Sequence, residues 1–480
     1  MTDDLPTGGD FSTRKIKQMS YKNTLLFTLS LIAFYDALHA EAGTGFLEQQ
    51  KAISRIAYEE GNRNKVQLIA SNKWPYRQVS GVVYLDNPIA AMPGMYDYGF
   101  YHVLYCVDLL PGAGISDWLC TFNENYTRTF EGCTGTVFQI VPNGYQPMLF
   151  YVARVVAAAD GIIIAKSDGN NDQNCSGASS NSNYVVLEHS DGSRTYYYDL
   201  KNGGQTQKAV GDYVNAGEFI GYPGGSSTIS QLNTEHQTHL LFELRDNANN
   251  VVDPYGSQGC LGLPRYPTRW RDSTEMKEYV YKSSLLLLKT CKHKRIGIDN
   301  CGTDIKSYTL HFNPGDSIYI ELGFKNYDNS LDSFLLNIIN PVGVPIINTI
   351  VRNRGCPTCS IYSFLDLLQG VKLPTGALMI PGTYTIAVNY YSFTYGSYDY
   401  LHYITVGCQA DYTLPFTENG ESGTIAGNNI YSTQICNPGS RVKLIAGNQI
   451  ILSPGFHAKS GSNVMIFNDA CIVPGFQRTE

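Results

Sequence analysis

Between residues 101 and about 255 the chain alternates apolar and polar positions in short runs: Val152 to Ile164, Tyr184 to His189, Arg194 to Asp199 and Thr238 to Arg245. Gly, Asn, Asp and Ser separate these runs, so a two-residue period bounded by turn-formers predicts half-buried strands. Residues 43–100 are mixed, with one helix expected over 46–58 on the apolar positions Leu47, Ile53 and Ile56. Residues 256–290 read as a connector containing Pro264, Pro267, Trp270 and a short helix. From Cys291 longer strands follow at sandwich spacing: Ser317 to Phe324, Phe334 to Ile339, Gly382 to Tyr391 and Tyr400 to Val406, with Asn313-Pro-Gly-Asp316 as a turn. Residues 408–480 carry very short strands with a glycine every few residues. The fold class expected is mainly β: a β-sheet domain over 101–280, an immunoglobulin-like sandwich over 291–407 and a small β-roll over 408–480.

Composition narrows this picture. Charged residues make up 16% of the chain, and the net charge of -7 reads as spread without runs, which argues against a nucleic-acid surface. Near the start, an apolar run from Thr24 to Phe34 follows Lys15, Lys17 and Lys22 and ends at Ala40-Glu41-Ala42. A basic region, a short apolar region and a small-x-small site read as a signal peptide over 1–42, with Met1 or Met19 as the start. The competing reading is an N-terminal membrane anchor, although the run is short for a span and Asp36 sits within its end. The twelve cysteines suit export and disulfides, whose pairing the sequence leaves open. Cys356-Pro-Thr-Cys359 has redox spacing but no surrounding thioredoxin-like pattern, so a disulfide role is expected there. The expected location is secreted, periplasmic or outer-surface, with no transmembrane segment in the mature chain.

The stretch that points to chemistry is Thr238-His239-Leu240-Leu241-Phe242-Glu243-Leu244. It resembles the His-Leu-His-Phe-Glu signature of the lysostaphin-type zinc metallopeptidases, which cut peptidoglycan cross-bridges. Further blocks follow the family's order: Val155 to Ile163, Asn183 to Gly192, Tyr197-Tyr-Asp-Leu200, Val210 to Gly221 and Asp253-Pro-Tyr255. The resemblance covers residues 101–260. The C-terminal stretch from Ala446 to Ser462 resembles a module common in exported Bacteroidetes proteins.

The resemblance implies a zinc site built from a His-x-x-x-Asp pair and the second His of His-x-His, with two more histidines assisting. This chain departs from that set. Glu131 to Val137 best matches the first block, placing Cys133 and Val137 at two ligand positions; a second register places Leu104 and Asp108 there. Leu241 occupies the third ligand position. Asp199 replaces the assisting histidine of Tyr-x-His, and His239 keeps the other. Cys133, Asp199 and His239 could in principle rebuild a site, although Cys133 is expected in a disulfide. His236 is expected on the opposite strand face from His239. His457 is expected at the surface, and the Gly-rich Gly221 to Ser227 as a turn.

Three functions are therefore weighed. The first is a non-hydrolytic binding or assembly module, whose partner is a peptidoglycan stem peptide or another surface protein, with no cofactor. The second is an active zinc endopeptidase with an altered site. The third is a structural surface or matrix protein, with possible self-assembly through strand edges.

Overall fold

The computed structural model describes residues 50–74, 81–92, 98–112, 114–120, 129, 131–173, 181–226, 238–259, 262–299, 303–328, 331–351, 361–373, 380–407, 409–414, 417–418, 421–437, 440–446 and 449–468. The signal-peptide region, His236 and the Cys356 and Cys359 pair lie outside them.

The first unit opens with helix α1 over 50–70. It runs twelve residues past the end expected at 58, because beyond Tyr58 its inward side is polar and the 3.6-residue apolar pattern fades. There Glu60 accepts from the Tyr184 hydroxyl at 2.6 Å, Asn62 from Arg194 at 2.8 Å, and Asn64 donates to the Ile164 carbonyl at 2.8 Å. The strands are β1 (Ile89–Ala91), β2 (Tyr101–Tyr105), β3 (Thr136–Ile140), β4 (Ala153–Val156), β5 (Gly161–Ser167), β6 (Tyr184–Glu188), β7 (Arg194–Tyr198), β8 (Tyr213–Val214), β9 (Phe219–Gly221), β10 (His239–Arg245) and β11 (Val251–Val252). They form one sheet in the order β2-β3-β10-β7-β6-β5-β8, with β11 on β10, and a small sheet β1-β4-β9. Every pairing within these two sheets is antiparallel. Because β1 pairs with β4, part of the 43–100 segment belongs to this unit.

The large sheet buries both faces. On one, Phe138, Leu187, Tyr197, Leu240, Phe242 and Leu244 join Trp270 and Tyr255 in the main core. On the other, Val137, Val186, Tyr196, Tyr198 and Leu241 pack against Ile53 and Ala57 of α1. Alternation along β10 therefore sends His239, Leu241 and Glu243 towards α1 and their neighbours into the main core.

The second unit has two sheets. One holds Ser284–Cys291, Ser317–Asp328 and Ile361–Lys372; the other holds His311–Phe312, Gly396–Val406, Gly382–Ser392, Ser333–Ile339 and Pro345–Val351. They share a core that includes Leu288, Ile320, Leu322, Phe324, Leu336, Ile386 and Val388. The first strand starts upstream of the 291 boundary read from the sequence, since Leu285 to Leu288 is a buried run. In the third unit the strands pair in parallel, with Glu421 opposite Arg441 and Arg441 opposite Asn463. Among the described residues no helix is long and apolar enough to cross a membrane. Cys120 is disulfide-bonded, whereas Cys133 and Cys291 are buried thiols.

Strands β3 and β10 approach closely at Gly135, where an added Cβ would lie 2.6 Å from the Phe242 carbonyl oxygen. Backbone cannot yield there as a side-chain tip could. Gly135→Ala should therefore destabilise the chain by about 1–3 kcal/mol, read as a lower urea midpoint with little change in slope.

Candidate active site

Strand β10 sits between β3 and β7, and this register assembles the positions singled out in the sequence. Leu241 is the direct cross-strand partner of Val137 on β3 and of Tyr198 on β7. The two positions assigned to metal ligands, Val137 and Leu241, thus meet across one strand pair, as two ligands of one ion would. Both are apolar and buried, at 0% and 3% exposure, and both touch the cluster completed by Ile53 and Ala57 of α1.

Beside this patch, His239 and Asp199 form a buried pair. His239 Nε2 lies 2.9 Å from Asp199 Oδ2, and the side chains are 3% and 0% exposed. The other carboxylate oxygen accepts from Ser182 Oγ at 3.1 Å, and the same hydroxyl accepts from the Asp199 backbone N–H at 2.9 Å. Asp199 sits at φ 67°, the left-handed region that Asp tolerates better than most residues. Its carbonyl accepts from Gly224 N–H at 2.8 Å, and the Gly224 carbonyl accepts from His239 N–H at 2.9 Å. The backbone thus ties together the two strand ends carrying the pair.

Cys133 takes a different place from the one expected. It is a buried thiol instead of half of a disulfide, and it donates to the Gly135 carbonyl at 3.2 Å. Burial pushes its pKa up to about 12, so the thiolate that would bind a metal is disfavoured. Asp108, from the second register, accepts instead from the N–H groups of Leu110, Ser116 and Gly132 at 3.0, 3.1 and 2.8 Å. Among the described residues no group of three or more His, Cys, Asp or Glu is placed to hold a metal ion. Asp199 and His239 are together, but Cys133 does not complete a ligand set with them. Val137 and Leu241 offer no donor atom and Cys133 holds its proton, so these three side chains do not make a zinc ligand set.

Sequence reasoning missed a polar cluster at the end of β10. Glu243, wholly buried, accepts from Ser54 Oγ of α1 at 3.0 Å and from Thr134 Oγ1 at 2.6 Å, and it pairs with Arg245. Arg245 Nη2 also donates to Ser54 Oγ at 2.8 Å, and Gln50 Nε2 donates to Thr134 Oγ1 at 2.8 Å. Burial works against the Arg245 charge, but Glu243 beside it outweighs burial and raises its pKa. The available signal was strand parity: Glu243 is four residues from His239 and so shares its face. These bonds fasten α1 over the face that carries Leu241.

The profile described as Peptidase family M23 matches residues 144–254, so that stretch is similar to the M23 peptidases. The match includes Asp199, His239 and Leu241 and begins after Cys133 and Val137. No curated protein matches the chain.

Two outcomes follow. Asp199→Ala should cost about 1–3 kcal/mol by stranding buried His239 and Ser182 groups, and Asp199→Asn should cost less, since Asn tolerates the same φ and keeps a hydrogen-bonding side chain; chemical denaturation separates the two. Cys133 should resist iodoacetamide at pH 8 in the native chain and react once unfolded, as read by mass spectrometry of its peptide. Alkylation of the native chain at Cys133 would contradict the burial described.

Proposed function

We propose that this chain is an exported protein whose M23 domain acts without hydrolysis, as a binding or assembly module. The observation that carries this reading is the apolar pair of Val137 and Leu241 beneath α1. A catalytic zinc site needs three donor side chains and an open position for water. Here two donor positions are hydrocarbon, and a helix covers the face on which they lie. Replacing ligands by apolar residues also avoids leaving buried polar groups without a metal to satisfy them.

In this reading the partner is a peptidoglycan stem peptide or another surface protein, presented with the help of the two C-terminal β units. Because α1 occupies the sheet face, a partner meets the domain's outer surfaces and loops. The N-terminal basic and apolar segment supports export to the periplasm or the outer surface. The Bacteroidetes-like C-terminal stretch agrees with that route, and self-assembly through the C-terminal units is the structural variant of the same reading.

A second reading, hydrolysis at a rebuilt zinc site, draws on the Asp199 and His239 pair, which stands at the positions of the family's assisting histidines. The deciding experiment is digestion of cross-linked peptidoglycan by the mature chain, from about Gly43, with zinc supplied. We expect no new amino termini above the enzyme-free blank. Release that is stopped by a chelator and by His239→Ala would establish the second reading.

A further inference from the structure

A basic run lies outside the M23-like stretch, in the segment after the strand Ser284–Cys291. Lys292, His293, Lys294 and Arg295 are consecutive. This departs from the reading of charge as spread without runs, and in a chain of net charge -7 it marks a local reversal of sign. The four residues line a cleft of about 730 Å³ together with Gly315, Ser317 and Tyr319, which lie on or just before the directly paired neighbouring strand. That volume is in the range of small-molecule sites, roughly 300–1,000 Å³.

Two acids in the cleft are already engaged. Asp316 pairs with Lys292 at 3.1 Å, and Asp304 with Arg295 at 3.3 Å. Asp316 also accepts from the Asn313 N–H at 2.8 Å; burial works against its charge, yet that bond and Lys292 hold its pKa below the usual carboxylate value. The acids thereby anchor Lys292 and Arg295 on the cleft wall. Lys294 and His293 are exposed, and among the described residues neither has an ion pair. Three fixed cations against two carboxylates leave an excess of one positive charge, with the His293 imidazole as a further polar group.

This balance suits a ligand with one or two negative charges better than a long polyanion. Duplex nucleic acid presents a charge about every 1.7 Å and calls for an extended basic stripe, which the surrounding acidic chain does not supply. The neighbouring strand offers a hydroxyl at Ser317 and a phenol ring at Tyr319, groups suited to a sugar. We propose that this cleft binds a phosphate-bearing sugar unit, with Lys294 and His293 on the phosphate and Ser317 and Tyr319 on the sugar.

Calorimetric titration of the full chain with glucose 6-phosphate tests this, with glucose and inorganic phosphate as controls. We expect saturable binding of the ester, none of glucose, and weaker binding of inorganic phosphate. Lys294→Glu should weaken the ester by about tenfold or more, the scale of one charge-assisted hydrogen bond. Lys294 is exposed, so the variant should fold, and an unchanged unfolding midpoint would verify that. No saturable binding, binding untouched by Lys294→Glu, or duplex DNA competing as strongly as the ester would each overturn the proposal. Inorganic phosphate binding as tightly as the ester would remove the sugar from it.

Discussion

The organising constraint is the register that sets Leu241 between Val137 and Tyr198 beneath helix α1. A one-residue slip of β10 would send His239, Leu241 and Glu243 into the main core and bring Leu240, Phe242 and Leu244 out under the helix. The register is held from both sides. Phe242 and Tyr197 pack edge to face at 5.4 Å in the core, and Glu243 binds Ser54 of α1 on the opposite face. This alternation aims the Val137 and Leu241 side chains at helix α1.

The polar groups near this patch are paired with one another. Asp199 and His239 satisfy each other, Ser182 bridges the carboxylate to the Asp199 backbone, and Glu243 is neutralised by Arg245. Buried polar groups arranged in this way avoid the desolvation penalty of unpaired ones. Burial raises the pKa of Tyr196, to about 12, and of Tyr198, so both hydroxyls stay neutral, and Tyr198 donates to Ser54 Oγ at 3.4 Å. The region is a hydrogen-bonded core.

Much of the sheet was legible in the sequence because a half-buried strand writes its alternation plainly, as in Tyr184 to Glu188 and His239 to Arg245. The site was legible through spacing: His239 and Leu241 two apart on a strand, and Asp199 at the end of its neighbour. Other features left weaker traces. The second half of α1 is held by Glu60, Asn62 and Asn64, so its inward face carries no apolar period. A cysteine in a cysteine-rich chain does not announce whether it is bridged, and Cys133 is a thiol. Parallel pairing in 421–468 is invisible to alternation, which encodes faces but not the direction of a partner strand. The run from Lys292 to Arg295 was hidden by an overall acidic charge.

The most direct measurement of the central claim is the zinc content of the purified mature chain after equilibrium dialysis against micromolar zinc and a weak chelator. The account predicts far less than one zinc per chain, with no change in His239→Ala. Stoichiometric zinc that is lost in His239→Ala or Cys133→Ala would contradict it, and would mean that these residues come together around an ion despite the apolar pair beside them.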